Sequence, residues 1–397
     1  MVCAVTGAAG HIGTNLVREL LAQGRDTRII DLREPAALVA LGAGFVTADV
    51  RDPVAMAAAL TGVETVFHLA AVISVTGSRG GAVEDVNVNG VRTVAEAALR
   101  AGVRRFVHCS SVHAFDLEAA RGGPVDERAP RSLARRLPAY DRSKAAGEVQ
   151  LRRVVERGLD AVVVNPTGVI GPRDEQPSRM GHFFLALEAG RLPATVEGGF
   201  DWVDVRDVVI ALLAAETRGR TGENYLVGGH YATTRELAGI AHAVTGVAAP
   251  RVEVPLWFAR LWSPAATLVS RNREHPLLYT SDSLHALASM PRVDSSKAQR
   301  ELGHRPRSTQ STVTDLYAWF AQSGLLRGRR RRGRGTDPAG RAACGGRWTT
   351  RCDRSRRAED ATRRSVGRRP EVTTCSTTSS ISRVFGSTCS RPSGPGW

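Results

Sequence analysis

Little in this chain supports a metal protein, a disulfide scaffold or a membrane span. Its 397 residues hold only six cysteines, no two of them at C-x₂₋₄-C spacing, and no histidine follows His304. That pattern argues against a zinc site. Cys3 and Cys109 fall in apolar, strand-like runs and read as small core residues, so no disulfide framework is expected. No run reaches about 18 consecutive apolar residues, the length a spanning helix needs. Met1 leads straight into a strand-like segment, which leaves no place for a signal peptide. The expectation is a cytoplasmic protein with no membrane partner.

Lysine and acidic residues are scarce in one region. From Arg327 onward there are 18 arginines, no lysine and five acids. The chain's net charge of +15 and pI of about 10.7 therefore belong to the C-terminus, while residues 1–326 are close to neutral. The body carries no nucleic-acid signature. Residues 327–397 lack apolar periodicity and are rich in Arg, Gly, Ser, Thr and Pro. Such a segment cannot offset the entropy of ordering and reads as disordered. It is either a nucleic-acid- or membrane-attracting arm or a non-native extension, and the abrupt change of composition favours the second.

What the body does have is alternation. Short β-type runs (VCAVTG, TRIIDL, FVTADV, TVFHLAA, RFVHCSS, AVVVNP) alternate with helical patterns, and several of the runs are continuously apolar. That suits a parallel sheet covered on both faces. The fold class expected is α/β, a doubly wound Rossmann sheet, with ligands beyond the carboxyl ends of its strands. Residues 1–164 form the expected cofactor domain and 165–326 a smaller substrate region, from which NYLVGG (near 225–229) returns a strand to the sheet.

The stretch VTGAAGHIGTNL puts Gly7, Gly10 and Gly13 between the first strand and the first helix. Glycines there let backbone approach a pyrophosphate at the helix N-terminus. His11 and Ile12, between the last two glycines, fall on the same turn and are expected to face the cofactor. Asp31 follows Gly13 by 18 residues, close to the ~20 expected for a carboxylate on the adenosine ribose. It would repel a 2′-phosphate, so NAD is favoured over NADP; Arg33 argues the other way. Asp49 and Val50 end the third strand, where an adenine edge can sit. Ala70 and Ala71 end the fourth, where small residues let a dinucleotide lie against backbone.

Ser110 and Ser111 end RFVHCSS, and Tyr140 and Lys144 lie one turn apart on a helix whose same face continues as Gly147, Leu151 and Val154. A phenol and an ammonium thus lead an apolar, buried face. With these residues in place the chain resembles the extended short-chain dehydrogenase/reductases of the NAD-dependent epimerase/dehydratase type. T-G-x-x-G-x-x-G, the strand-end Asp, HLAA, SS and Y-x-x-x-K occur in that family's order across residues 1–326. The resemblance implies Tyr140 as acid/base, its phenol lowered by Lys144 and by oxidised nicotinamide. Lys144 would also hold the nicotinamide ribose, and Ser111 would orient the reacting oxygen, with Ser110 as the fallback. Asn87 would support the lysine.

Two departures bear on the reaction. The sugar-nucleotide branch carries R-x-x-N-x-Y-G-P where this chain has NPTGVIGP, with Asn165 and Gly168 at the polar positions. It carries an arginine where FDWVDVRD has Phe200. The first stretch is closer to the dihydroflavonol-reductase and 3β-hydroxysteroid-dehydrogenase branch, in which Pro166 to Val169 border nicotinamide and substrate. The expected function is NAD(P)-dependent hydride transfer to or from an apolar ketone or alcohol, and the alternative is a sugar-nucleotide epimerase or dehydratase. A small-molecule substrate is implied and a homodimer is left open. VPLWFARLWSPAATLVS reads as core, a lid or a membrane-touching helix.

Overall fold

In the computed structural model the described residues are 2–74, 77–119, 123–270, 280–289 and 292–326, with side chains 266–270 and Ser289 excepted. The Arg-rich segment from 327 lies outside them. Twelve strands follow in chain order: β1 Val2–Thr6, β2 Asp26–Asp31, β3 Gly44–Thr47, β4 Thr65–His68, β5 Arg105–Cys109, β6 Ala161–Pro166, β7 Gly168–Ile170, β8 Ala194–Val196, β9 Gly199–Asp204, β10 Asn224–Val227, β11 His230–Thr233 and β12 Val252–Val254.

Seven of them make one sheet in the order β10-β6-β5-β4-β1-β2-β3, with every neighbouring pair parallel. The order reverses between β1 and β4, which opens a crevice beyond their carboxyl ends, where such sheets bind ligands. Continuous burial along β4, β5 and β6 follows from cover on both faces. Leu16, Val17 and Leu20 of helix His11–Ala22 pack with Val208 and Leu212 of helix Val205–Arg218 on one face. Met56, Val94, Ala98, Leu151 and Val154 of helices Pro53–Ala59, Val91–Arg100 and Ala139–Val155 cover the other. Each fully buried Leu or Val stabilises the fold by about 1.5–3 kcal/mol.

A third apolar cluster builds the region beside the crevice. It gathers Phe183 and Phe184, Phe200 and Trp202, Leu237, and Leu316, Tyr317 and Phe320. β11, β9 and β7 form a small sheet there, and β12 pairs with β8. β10 crosses back to pair with β6, so this region and the main sheet share backbone hydrogen bonds.

Candidate active site

The crevice is a cleft of about 620 Å³, and it runs from Gly7, Gly10 and Gly13 past Asp31, Asp49, Ala70 and Ala71 to Ser111, Tyr140, Lys144 and Phe200. Every site residue named from the sequence lines it except Asn87.

The glycines play different parts. Gly7 has φ +71°, and a Cβ there would stand 2.6 Å from the Ala70 nitrogen. A Cβ on Gly13 would stand 2.4 Å from the Gly7 carbonyl. Both are required by the protein's own backbone. Gly10 is not: a Cβ would come no nearer than 3.4 Å to that carbonyl. Gly10 lines the cleft at the N-terminus of helix His11–Ala22, where no side chain caps the first turn. Its missing side chain leaves a cradle for an anionic group that the chain does not itself fill. Asp31 Oδ2 accepts from the Ala9 amide at 3.2 Å and so braces the loop. The Asp49 carboxylate is clamped by Arg51 at 2.6 Å, which also reaches Asp85 at 2.7 Å. Hydrogen bonding to Arg51 holds the Asp49 carboxyl below its ordinary range.

At the other end, Lys144 is buried and its Nζ donates to the Cys109 carbonyl at 3.5 Å. Burial lowers its pKa. Tyr140 is pushed well above the ordinary phenol value, chiefly by burial, against the hydrogen bond of Ser111. Without a ligand desolvation dominates, so Tyr140 is a protonated acid. Beneath Lys144, His68 and His108 stack at 5.3 Å between ring centroids. Burial, then the Lys144 charge, pushes His68 down to about 3. His108 is lowered by the same burial. Both rings are neutral.

Asn87 stands behind the cleft lining. Its side chain exchanges two hydrogen bonds with the Val72 backbone (2.8 and 3.0 Å) and donates to Ser143 Oγ at 2.9 Å. It sits on a π-helical turn, Asp85–Gly90, whose Asn87 carbonyl would lie 2.2 Å from a Cβ on Gly147. Gly147 thus belongs to the buried face because the Asn87 turn packs on it, and Asn87 ties that turn to the segment after β4 and to the helix that carries Tyr140 and Lys144.

Three further lining residues, His113, Phe200 and Arg51, bear on the chemistry of the cleft. Ser111 caps a short turn, Val112–Ala114, by accepting from the His113 amide, and the turn carries His113 to the cleft. His113 Nδ1 lies 3.2 Å from Asp141 Oδ1, and its ring meets Tyr140 edge-on and Phe200 face-on, both at 5.7 Å. Burial lowers its pKa, but the charge and the hydrogen bond of Asp141 together outweigh that and the net shift is upward. Phe200 was legible only as the loss of an arginine. Arg51 carried a faint signal, standing two residues after a strand-end acid as Arg33 does.

A glycine turn at a sheet switch point shares one cleft with Ser111, Tyr140 and Lys144, a setting that suits an NAD-dependent enzyme acting on a hydroxyl or carbonyl carbon. The chain belongs to the NAD dependent epimerase/dehydratase family, whose pattern residues 3–228 match. It is 38% identical over 333 residues to sterol demethylase protein B of Methylococcus capsulatus, covering 82% of this chain and all of that protein. It is 31% identical to a putative dihydroflavonol 4-reductase of Synechocystis, covering 81% and 95%. The dTDP-glucose 4,6-dehydratase of Streptomyces venezuelae, crystallised with NAD, superposes with a TM-score of 0.65 at 26% identity, over 82% of this chain and 99% of the other. NAD is the cofactor, and the open cradle at Gly10 fits it. Among the described residues no helix is long and apolar enough to cross a membrane.

Proposed function

We propose that the protein transfers a hydride between NAD and the carbinol or carbonyl carbon of an apolar small molecule. Residues 1–164 hold the cofactor and 165–326 shape the substrate side. Gly10, His11, Ile12 and Gly13 would receive the pyrophosphate, Asp31 the adenosine ribose, Asp49 and Val50 the adenine. Ala70, Ala71, Pro166 and Val169 would flank the remainder.

The observation that carries the substrate class is the wall around Phe200. It is buried, stacked on His113, and lines the cleft with Pro166, Gly168 and Val169. The arginines in the lining, Arg33 and Arg51, each stand two residues past an acid at the adenosine end. Asn165 is buried in a network with Glu148 (2.7 Å), the Ser111 carbonyl (3.0 Å) and Asn224 (2.8 Å). It braces β6 and offers nothing to a diphosphate. Losing charged hydrogen bonds to a diphosphate costs about 1.5–3 kcal/mol each, which disfavours a nucleotide-sugar.

Bound NAD supplies the hydride donor or acceptor. In reduction the protonated Tyr140 gives its proton to the carbonyl oxygen, held by Ser111, as that oxygen gains negative charge. In oxidation Tyr140 takes the hydroxyl proton, with Lys144 favouring the phenolate by charge. The test is absorbance of NADH during incubation with a panel of apolar ketones and with UDP- and dTDP-sugars. Stoichiometric NADH consumption with a ketone supports the reading. Conversion of a sugar nucleotide with no net change in NADH would overturn it.

A further inference from the structure

Helix Leu256–Ser270 leaves an apolar face uncovered in its first two turns. Trp257, Phe258, Leu261 and Trp262 are 65, 44, 67 and 66% exposed. Spaced i, i+1, i+4 and i+5, they share one face, and Trp257 meets Phe258 edge-on at 5.7 Å. Val252, just ahead in β12, is exposed too. Other exposed large apolar side chains, such as Leu32 and Ile73, line the cleft or stand singly. Four neighbours on one helical face form a patch of the kind that marks an interaction site.

Arginines flank the patch, and Glu197 accepts from the Leu256 amide at the start of the helix at 3.1 Å. Arg251 and Arg260 are exposed, and neither has an acidic partner among the described residues. Leu256–Ser270 contains no acid. The acid just ahead of it, Glu253, is already paired with Arg235 at 3.2 Å. Two tryptophans and a phenylalanine on an acid-free helix, with arginines at its margin, match the chemistry of a bilayer interface that carries anionic headgroups.

We propose that this face docks on the surface of an anionic lipid bilayer, with Trp257, Phe258, Leu261 and Trp262 entering the headgroup–acyl boundary. The helix is tied back to the cleft. Ser263 Oγ lies 3.1 Å from Ser281 Oγ on helix Ser281–Ser289. Asp282 of that helix accepts from the Gly77 amide at 3.3 Å, on the loop that carries Ile73 in the cleft wall. A docked protein would therefore bring this side of the cleft toward the lipid. The docking itself does not depend on which substrate the cleft takes.

The full chain is tested by flotation with phosphatidylcholine vesicles, with and without phosphatidylglycerol, while tryptophan emission is followed. At about 1 M salt the screening length is ~3 Å, which suppresses attraction through the Arg-rich C-terminal segment. The expected result is binding that favours anionic vesicles at low salt and partly survives high salt, with blue-shifted emission. In a Trp257→Ala, Leu261→Ala, Trp262→Ala variant vesicle affinity falls roughly a hundredfold, about a factor of five per side chain, with NADH binding retained. Release of the wild type at high salt, or equal flotation of the variant, assigns binding to the C-terminal segment and overturns the proposal. A wild type that ignores vesicles and dimerises, while the variant is monomeric, overturns it in favour of a protein interface.

Discussion

At the adenosine end of the cleft, Gly7, Gly10, Gly13 and Asp31 come from one unit, β1, the turn, the first helix and β2. At the other end Ser111, His113, Tyr140, Pro166 and Phe200 arrive from separate segments spread over 90 residues. The first end is set by backbone sterics, Gly13 against the Gly7 carbonyl and Gly7 against Ala70 after β4, so each residue answers to its own close contacts. The second is set by packing between helix Ala139–Val155, the Val112–Ala114 turn and β9, so its residues change one another's chemistry. Tyr140 shows the consequence: its position follows from helical spacing, but its proton affinity follows from what is buried around it.

Substitutions at the two ends should therefore fail differently. The largest effect is expected for Tyr140→Phe, which keeps the ring against His113 and removes the proton. Steady-state kinetics should show kcat/KM lower by ~10²–10⁴, with NADH binding by fluorescence near wild type. Loss of cofactor binding instead would mean that the two ends are not separable.

Next in size, Asp31→Ala should cost NADH about 10- to 100-fold in affinity, the equivalent of ~1.5–3 kcal/mol for a charged hydrogen bond, and should shift the NADH/NADPH ratio toward NADPH. An unchanged ratio would leave Asp31 only its brace on Ala9. Gly13→Ala is smaller and acts on the fold. A Cβ 2.4 Å from the Gly7 carbonyl should destabilise by about 1–3 kcal/mol, read as a lower midpoint in urea.

The smallest effect concerns pH. The folded pKa of His113 is raised above its ordinary 6.5 by Asp141. The stabilisation from that pair is full below the unfolded value and is lost as pH rises through the folded one. Asp141→Asn should therefore destabilise under mildly acidic conditions, read as a lower urea midpoint, and the difference should vanish at alkaline pH. A difference that grows with pH would contradict the assignment. Tyr140 gives the matching kinetic sign. Because burial raises its pKa, ketone reduction should be flat through neutrality while alcohol oxidation climbs with pH.

The same contrast explains what was legible in the sequence. Strand–helix alternation, the glycine turn, Asp31 and the Tyr140–Lys144 spacing are local patterns with periods of 2 and 3.6 residues, and the structure places all of them on one cleft. The hydrogen bonds of Asn87 could not be read from spacing, because its partners, Val72 and Ser143, lie 15 and 56 residues away. His113 was passed over because its pairing with Asp141 and its stacking on Phe200 depend on segments distant in the chain. The direction of the Tyr140 shift required knowledge of burial, which spacing does not carry.

The most direct measurement is a fluorescence titration of NADH and NADPH into wild type and Gly10→Ala, paired with a melting curve for each. The cradle at Gly10 is open to ligand and not required by the backbone. The variant should therefore melt within about 1 kcal/mol of wild type and bind NADH about tenfold more weakly or worse, with NADH preferred over NADPH in the wild type. Failure of the wild type to bind NADH, or equal binding by the two proteins, would contradict the account of the cleft as the dinucleotide site.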